Sequence, residues 1–214
     1  MTASKIKAIL FDFDGTLADT VNYNFVSWRK AFGKFGVSLS LDDYILSEGK
    51  KAQDVAIQFI EQEELDPALL DLVLKERQEV AYLQPIPRLF DGVPEMLKEL
   101  KNQGYTLGIV SGGRRARIEK MLGDAAEYIS VFVTGDDSLP SKPSPDPYLE
   151  AAKKLDISPG LCLVIENAPL GIAAATAAGM ASIGVAYSVG PHFVLGANRV
   201  VKSITQVPDA IATL

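Results

Sequence analysis

Two patterns of apolar residues alternate along most of the chain. Short unbroken runs rich in Val, Ile and Leu predict buried β-strands, and apolar residues that recur every three or four positions predict amphipathic helices. The predicted strands are 5–12, 105–110, 130–134, 161–165 and 181–185. Helices are predicted between them at 93–102, 114–122, 146–155 and 168–178. Buried strands that alternate with helices indicate a parallel sheet with helices on both of its faces.

The segment between the first two predicted strands has a different pattern. Its apolar residues have helical spacing at 21–32, 52–61 and 67–82, and it contains no run that predicts a strand. We therefore predict an α/β fold with a doubly wound parallel sheet of the Rossmann type, formed by residues 1–19 and 89–214, with a helical insertion at 20–88.

The composition excludes several functional classes. Of the 214 residues, 48% are hydrophobic and 22% are charged, which is ordinary for a globular protein. The formal net charge of −6 argues against a general nucleic-acid binder, because such a protein presents a basic surface. A single Cys and a single His exclude a disulfide within the chain and metal sites that need several Cys or His ligands. Catalysis must then depend on carboxylates, hydroxyls, lysines and oxygen-bound metal ions.

A long stretch without Asp, Glu, Lys or Arg, residues 167–198, is the one candidate for a membrane segment. It is rich in Ala and interrupted by glycines, so it predicts a buried helix, a glycine stop and a short strand rather than a spanning helix. The apolar run near the N-terminus, 8–11, is too short for a signal peptide. We expect no membrane partner and a cytoplasmic location.

The carboxyl ends of the predicted strands carry most of the reactive side chains. These positions are, in chain order, Asp12, Asp14, Ser111, Gly112, Lys142, Glu166 and Asn167. In an open α/β sheet, ligands bind beyond this edge of the strands. Two carboxylates, a hydroxyl beside glycine backbone, a lysine and a Glu-Asn pair are together the parts of a phosphoryl-transfer site.

Asp12 and Asp14 are two residues apart, so in extended backbone they project to the same side and repel each other. A hard cation such as Mg²⁺, which takes oxygen ligands, would relieve this repulsion, as would protonation of one of the two. A carboxylate can also attack phosphorus to form an aspartyl-phosphate. A solvated turn remains the alternative for this pair alone, since Asp and Gly are common in turns.

The other positions also allow two interpretations each. The Ser111 hydroxyl and the N–H groups after it could receive a phosphate oxygen at a helix N-terminus, or Ser111 could simply cap the helix. Lys142, on a loop stiffened by prolines, could neutralise phosphoryl charge, or it could be solvated. Glu166 and Asn167 could complete a cation site, or Asn167 could cap the next helix.

In this order and spacing the motifs resemble those of the haloacid dehalogenase-like hydrolase superfamily. The resemblance rests on Asp-Phe-Asp-Gly-Thr-Leu at 12–17, Ser111, Lys142-Pro143 and Glu166-Asn167. It favours the branch that contains β-phosphoglucomutase and small phosphatases such as phosphoglycolate phosphatase. That branch carries a helical cap domain inserted after the first motif, which is where the helical insertion 20–88 lies.

The resemblance implies a role for each motif residue. Asp12 would be the nucleophile and a Mg²⁺ ligand, and Asp14 would be the general acid and base, with its backbone carbonyl also bound to Mg²⁺. Ser111 and Lys142 would hold the transferring phosphoryl group. The metal shell would be completed by Glu166 and Asn167.

Specificity for a small phosphorylated metabolite should lie in the cap, and closure of the cap would exclude bulk water. Candidate substrate-binding residues are Asn24, Glu48, Lys50 and Lys51 from the cap, and Thr16 and Gly112 from the core. A charged, solvated turn is the alternative for each of the cap residues. Both a monomer and a dimer are compatible with the sequence.

Two positions refine the functional prediction. The fourth motif of the branch is usually Glu-Asp, whereas Asn167 carries one negative charge less, so we expect weaker Mg²⁺ binding. Mutases of the branch often carry a His where this chain has Asn24. The preferred function is a Mg²⁺-dependent phosphatase that hydrolyses a small phosphomonoester, a sugar phosphate or a phosphoglycolate-like compound, through an aspartyl-phosphate. The alternatives are a phosphomutase and a catalytically weakened phosphate-binding relative.

Overall fold

The computed structural model describes residues 6–213, and its strands form one sheet. The strands are β1 (Ala8–Phe11), β2 (Thr106–Val110), β3 (Ile129–Val133), β4 (Cys162–Glu166), β5 (Ala181–Val185) and β6 (Arg199–Val201). All neighbouring strands are parallel, in the order β3-β2-β1-β4-β5-β6. This is the order of Rossmann-type sheets, and it confirms the predicted fold class.

The helices fall into two groups along the chain. Those between β1 and β2 are α1 (Val21–Gly33), α2 (Leu41–Ile45), α3 (Ala52–Gln62), α4 (Leu70–Tyr82) and α5 (Val93–Asn102). Those after β2 are α6 (Arg115–Leu122), α7 (Asp146–Lys154), α8 (Pro169–Ala177) and α9 (Val207–Ile211). The first four helices, residues 21–82, are referred to below as the helical segment.

Successive residues of β1 supply two different apolar cores. Ile9 and Phe11 belong to one cluster, and Ala8 and Leu10 belong to another. All four side chains are fully buried. Because side chains alternate along a strand, such a continuous apolar run must be covered by helices on both faces of the sheet.

The helical segment has an apolar cluster of its own. Trp28 and Phe32 stack within α1, with ring centroids 5.9 Å apart, and Phe59 of α3 meets Phe32 edge-on. Ile172 and Val194, which lie outside the segment, join the same cluster. The segment is therefore packed against the part of the chain that forms the sheet.

The two chain connections between the helical segment and the sheet pair with each other. The Asp19 N–H donates to the Arg88 carbonyl (2.9 Å), and the Phe90 N–H donates to the Leu17 carbonyl (3.0 Å). An isolated antiparallel bridge lies between these two bonds. The division of the chain into a core and a cap domain at 20–88 stays a prediction.

The predicted strands and helices all occur, with bounds that differ by at most three residues. Lys5, the first residue of the first predicted strand, lies outside the described residues. The sequence patterns missed α2, α9 and β6, because these elements have only five, five and three residues and are too short to show a period. The uncharged stretch 167–198 forms α8, β5 and the turns around them, and among the described residues no helix is long and apolar enough to cross a bilayer.

Candidate active site

Three central strands bring three of the predicted residues to one edge of the sheet. Asp12 directly follows β1, Ser111 directly follows β2, and Glu166 is the last residue of β4. Because β1 lies between β2 and β4 and all three run parallel, their carboxyl ends meet at the same edge.

Lys142 connects the ends of these strands through its ammonium group. Its Nζ donates to Asp12 Oδ1 (2.8 Å), to Glu166 Oε1 (2.7 Å) and to the carbonyl oxygen of Val110 (2.9 Å). The side chain is only 2% exposed. Burial lowers the pKa of Lys142, but the two carboxylates outweigh burial and hold that pKa well above its ordinary value. The result is a fixed positive charge beside Asp12.

Glu166 holds Lys142 in place and does not line the cavity described below. Its Oε1 also accepts from the Tyr148 hydroxyl (2.9 Å), and its Oε2 accepts from two backbone N–H groups at 3.1 and 3.2 Å. A Cβ at position 171 would lie 1.6 Å from Oε1, so Gly171 leaves room for the carboxylate. Both oxygens of Glu166 are thus bonded within the protein, and its role as a metal ligand stays a prediction.

Asp12 is buried among charged groups. Burial and the Glu166 carboxylate raise its pKa, and Lys142 offsets part of this effect, which leaves the pKa of Asp12 at about 7. Additional positive charge near Asp12 would therefore favour the ionised form of this carboxylate.

Asp14 has different partners from Asp12. Its carboxylate forms an ion pair with Arg117 and accepts longer hydrogen bonds from Asn24 Nδ2 (3.4 Å) and Ser111 Oγ (3.5 Å). Burial raises the pKa of Asp14, but the Arg117 guanidinium outweighs burial and holds that pKa below its ordinary value. Arg117 is not among the residues predicted from the sequence, although its place in the first turn of α6, just past Ser111, was a usable signal.

Asn167 connects the sheet to the helical segment. Its Oδ1 accepts from Thr16 Oγ1 (3.0 Å), and its Nδ2 donates to Glu48 Oε2 (3.2 Å). Burial, together with Asp12 and Asp14, raises the pKa of Glu48 well above its ordinary value. Thr16, predicted to bind substrate, is fully buried and donates its hydroxyl to Asn167; its contact with substrate stays a prediction.

A cavity of about 450 Å³ lies between the strand ends and the helical segment. The predicted site residues that line it are Asp12, Asp14, Asn24, Glu48, Lys50, Ser111 and Gly112. Lys51 does not line it, because its Nζ donates to the Asp137 carbonyl (2.5 Å). The cationic residues around the cavity are Lys50, Arg77, Arg114 and Arg117.

Arg77, on α4, is a second lining residue that the sequence patterns missed, because it stands among other charged residues of an ordinary amphipathic helix. Its guanidinium lies over the Trp28 ring, 4.7 Å from the centroid, and donates to Asn24 Oδ1 (3.3 Å). Its Nε is buried and has no hydrogen-bond partner within residues 6–213. Arg77 lines the cavity, so this wall carries a positive charge that suits an anionic ligand.

The oxygen donors at the strand ends suit Mg²⁺. No group of three His, Cys, Asp or Glu side chains in the described part of the chain is arranged to hold a metal ion. Mg²⁺ is usually bound through one or two carboxylates, with waters and substrate phosphates as the other ligands. The Asp12 carboxylate, the Asp14 backbone carbonyl and the Asn167 amide oxygen are donors of this kind, so the residues fit such a cation.

Comparison with known proteins identifies the family. The sequence profile described as haloacid dehalogenase-like hydrolase matches residues 9–185. The chain belongs to this family. The match includes every residue of the site, and it confirms the family predicted from the motifs.

The relatives of this haloacid dehalogenase-like hydrolase include phosphatases and a phosphomutase. It is 30% identical over 207 residues to validoxylamine A 7′-phosphate phosphatase of Streptomyces hygroscopicus subsp. limoneus. The alignment covers 94% of this chain and 95% of the relative. It is 27% identical over 212 residues to β-phosphoglucomutase of Bacillus subtilis, and this alignment covers 94% of this chain and 92% of the relative. The crystal structure of β-phosphoglucomutase from Clostridium difficile has the same fold, with a TM-score of 0.82 at 24% identity over 97% of each chain. Phosphatases among the relatives support the predicted enzyme class, a phosphoric monoester hydrolase.

Proposed function

We propose that this protein is a Mg²⁺-dependent phosphatase that hydrolyses a small phosphomonoester through an aspartyl-phosphate on Asp12. The observation that carries the proposal is the contact of Lys142 with both Asp12 and Glu166 at the edge of the cavity. One oxygen of Asp12 is held, which orients the carboxylate for attack. The same ammonium group places a fixed positive charge beside Asp12, and this charge would offset negative charge on a transferring phosphoryl group.

In the first half of the proposed reaction, a carboxylate oxygen of Asp12 attacks phosphorus, and the bond to the leaving alcohol breaks. The Ser111 hydroxyl holds a phosphoryl oxygen and the Lys142 charge offsets the negative charge beside Asp12, while Asp14 donates a proton to the leaving oxygen. In the second half, a water attacks the same phosphorus and gives its proton to Asp14. Inorganic phosphate leaves, and Asp12 is restored.

The ion pair between Asp14 and Arg117 has to loosen before Asp14 can donate a proton. Arg117 stabilises the ionised carboxylate, whereas an acid must be protonated. An anionic group of the substrate that pairs with Arg117 would weaken its hold on Asp14 and raise the pKa of that carboxyl. Substrate binding would in this way prepare the acid.

Bound Mg²⁺ would supply further charge stabilisation to the phosphoryl oxygens. The residues proposed to hold it are Asp12, Asp14 through its backbone carbonyl, and Asn167. Lys142 bonds to both Asp12 and Glu166, so it would hold the nucleophile in orientation beside a bound cation.

Asn24 favours hydrolysis over transfer within a sugar. It contacts Asp14 (3.4 Å) and Arg77 (3.3 Å), and its amide does not exchange protons near neutral pH as an imidazole would. Among the described residues, no His lines the cavity. A β-phosphoglucomutase is among the relatives, so a phosphomutase remains the alternative function. An experiment has to distinguish it from a phosphatase.

The lining of the cavity favours a substrate with hydroxyls or a second anionic group. Lys50, Arg77 and Arg114 stand around it in addition to the residues of the phosphoryl site. Because the whole chain is acidic, such local cations have to provide the attraction for an anion. A sugar phosphate or a phosphoglycolate-like compound has these features, and a cytoplasmic location is part of the same proposal.

Phosphate release from a panel of phosphomonoesters tests the proposal. The panel contains p-nitrophenyl phosphate, hexose phosphates and phosphoglycolate, each with and without Mg²⁺. Asp12→Asn should lower turnover at least on the order of a thousandfold. Asp19→Asn, at an exposed Asp seven residues further along the chain, is the matched control and should leave turnover unchanged. In acid-quenched wild-type enzyme, mass spectrometry should find a phosphoryl group on the peptide that contains Asp12.

The alternatives give different results in the same assay. Conversion of one sugar phosphate into its isomer with little free phosphate would show a phosphomutase. Binding of inorganic phosphate without turnover of any ester would show a weakened relative. Turnover that survives Asp12→Asn would rule out Asp12 as the nucleophile.

A further inference from the structure

Glu48 reaches the strand ends from the helical segment. It lies in the turn between α2 and α3, it is 4% exposed, and it lines the same cavity as Asp12 and Asp14. Its Oε2 accepts from Asn167 Nδ2 (3.2 Å), and its Oε1 accepts from the Tyr44 hydroxyl (3.4 Å). A carboxylate of the helical segment is therefore buried at the candidate active site.

Close packing at two glycines holds this turn against the strand ends. A Cβ at Gly112 would lie 2.4 Å from the Lys50 carbonyl oxygen, and a Cβ at Gly49 would lie 3.1 Å from Lys142 Cδ. Gly49 also has a φ of +96°, which favours glycine. A residue larger than glycine at position 49 or 112 would therefore displace the turn, and Glu48 would move with it.

Glu48 has no cationic partner within residues 6–213. The two cations nearest the strand ends, Lys142 and Arg117, form their salt bridges with other carboxylates. The groups that hydrogen-bond to Glu48 are both neutral. Buried carboxylates are ordinarily paired with a cation or bound to a metal ion. The site therefore contains a buried carboxyl group that no cationic side chain in the described part of the chain pairs with.

Asn167 is complementary to this carboxylate. Its amide nitrogen donates to Glu48, whereas an aspartate at position 167, the residue expected in this branch, would bring two carboxylates into contact and repel. The negative charge that is absent from position 167 is thus present beside it, on a different part of the chain.

We propose that Glu48 supplies the charge that Asn167 lacks and acts as a carboxylate of the Mg²⁺ site, contributed by the helical segment. The inference rests on the proposed function, because it concerns the same cation site. Asp12 belongs to the sheet and Glu48 to the segment, so a cation attracted by both ties the two together. Mg²⁺ binding and closure of the segment over the cavity then stabilise each other.

Titration of the protein with MgCl₂ in the absence of substrate tests this inference. Binding is followed by calorimetry and by the fluorescence of Trp28, the single tryptophan of the chain, which lines the cavity. Glu48→Gln keeps an acceptor for Asn167 and removes the charge, so Mg²⁺ should bind roughly 10- to 100-fold more weakly. The double variant Glu48→Gln/Asn167→Asp places the carboxylate at the end of β4 instead, so it should recover most of the wild-type affinity for Mg²⁺. Its change in Trp28 fluorescence on Mg²⁺ binding should be smaller than that of the wild type, because the cation no longer draws the helical segment toward the sheet.

Two controls separate this effect from damage to the fold. Glu61→Gln, at an exposed Glu of α3, should bind Mg²⁺ as the wild type does. Without Mg²⁺, thermal unfolding should find Glu48→Gln at least as stable as the wild type, because glutamine keeps an acceptor for Asn167 and removes a buried carboxyl group that has no cationic partner. The increase in Tm on adding Mg²⁺ should shrink in that variant.

Several results would overturn the inference. Equal Mg²⁺ affinities of the wild type and Glu48→Gln would do so and would leave the phosphatase proposal intact. A Glu48→Gln protein that is less stable without Mg²⁺, or a double variant that does not recover affinity, would assign Glu48 a structural role only. A wild-type protein that takes up no Mg²⁺ would refute both the inference and the metal dependence, while the Asp12→Asn comparison would still decide hydrolysis by itself.

Discussion

The two sides of the cavity differ in how completely their polar groups are bonded. On the sheet side, Lys142 makes three hydrogen bonds of 2.7–2.9 Å, and both oxygens of Glu166 are occupied. On the side of the helical segment, Asn24 makes bonds of 3.3 and 3.4 Å, and the Nε of Arg77 makes none within residues 6–213. The sheet-side groups are thus held by short hydrogen bonds before substrate binds, whereas Asn24 and Arg77 of the segment side are held by longer ones.

This difference separates chemistry from recognition. Groups that are already in position need no reorganisation when charge develops on a phosphoryl group, which suits the part of the reaction that all phosphomonoesters share. Donors without partners gain most when a ligand brings acceptors, which suits the part that distinguishes one substrate from another. Variants on the sheet side should therefore affect turnover and folding, and variants on the segment side other than those of Glu48 should affect the choice of substrate.

Lys142→Met should have the largest effect. It leaves Asp12 and Glu166 buried without their shared cation, so the free energy of unfolding should fall by about 3–5 kcal/mol, and turnover should fall by about 10²- to 10³-fold. Urea unfolding and phosphate release measure the two effects. Lys154→Met is the control, since the ion pair of Lys154 with Asp137 is partly exposed and should contribute about 1 kcal/mol or less. Similar losses of stability and turnover in Lys142→Met and Lys154→Met would contradict the claim that Lys142 organises the sheet side before substrate binds.

Gly112→Ala should have an intermediate effect, at the boundary between the two sides. The added methyl group meets the Lys50 carbonyl at 2.4 Å, so either the turn moves away or the fold loses about 1–3 kcal/mol. Weaker Mg²⁺ binding should accompany a displaced turn, and Mg²⁺ titration with urea unfolding checks both. Gly160→Ala adds the same methyl group where no atom lies within 4 Å, and it should change neither quantity. Equal behaviour of the two variants would mean that the turn is not seated against Gly112.

Arg77→Met should have the smallest effect on the protein and a selective effect on substrates. Loss of one charged donor should raise KM about tenfold for esters with a second anionic group, and it should leave KM for p-nitrophenyl phosphate nearly unchanged. Steady-state kinetics on both kinds of ester provide the test. Arg29→Met is the control, because Arg29 also lies over an aromatic ring (Phe25, 5.2 Å) but is exposed. Equal loss on both kinds of ester would place Arg77 in the chemistry instead.

The sheet side was more predictable from the sequence than the segment side. Asp12, Ser111 and Glu166 each follow an apolar run, and a parallel sheet brings the ends of such runs together whatever the details of packing. Lys142 could be predicted for the same reason, since its loop follows β3. The roles of Thr16 and Glu166 could not, because a hydrogen bond to Asn167 or to Lys142 depends on side-chain distances that no spacing along the chain records.

Residues of the helical segment meet the site only through tertiary packing. Lys50 and Lys51 are neighbours of the same type, yet one lines the cavity and the other reaches the Asp137 carbonyl. Arg77 comes from a charged amphipathic helix in which nothing distinguishes it from its neighbours. Glu48 could be predicted as a candidate contact, but its contact with Asn167 joins residues 119 positions apart. The sequence therefore indicated which turn matters and not which side chain enters the site.

The paired connections at 17–19 and 88–90 have a mechanical consequence. A single linker lets the part beyond it swivel about many bonds, whereas two strands joined by hydrogen bonds resist twisting and bend together in one plane. We expect the helical segment to rotate about a single hinge axis and to return to the same position after each product leaves. The paired connections would then determine how the helical segment lines up with the strand ends. Substitutions at the end of the segment far from these connections should therefore leave this alignment unchanged.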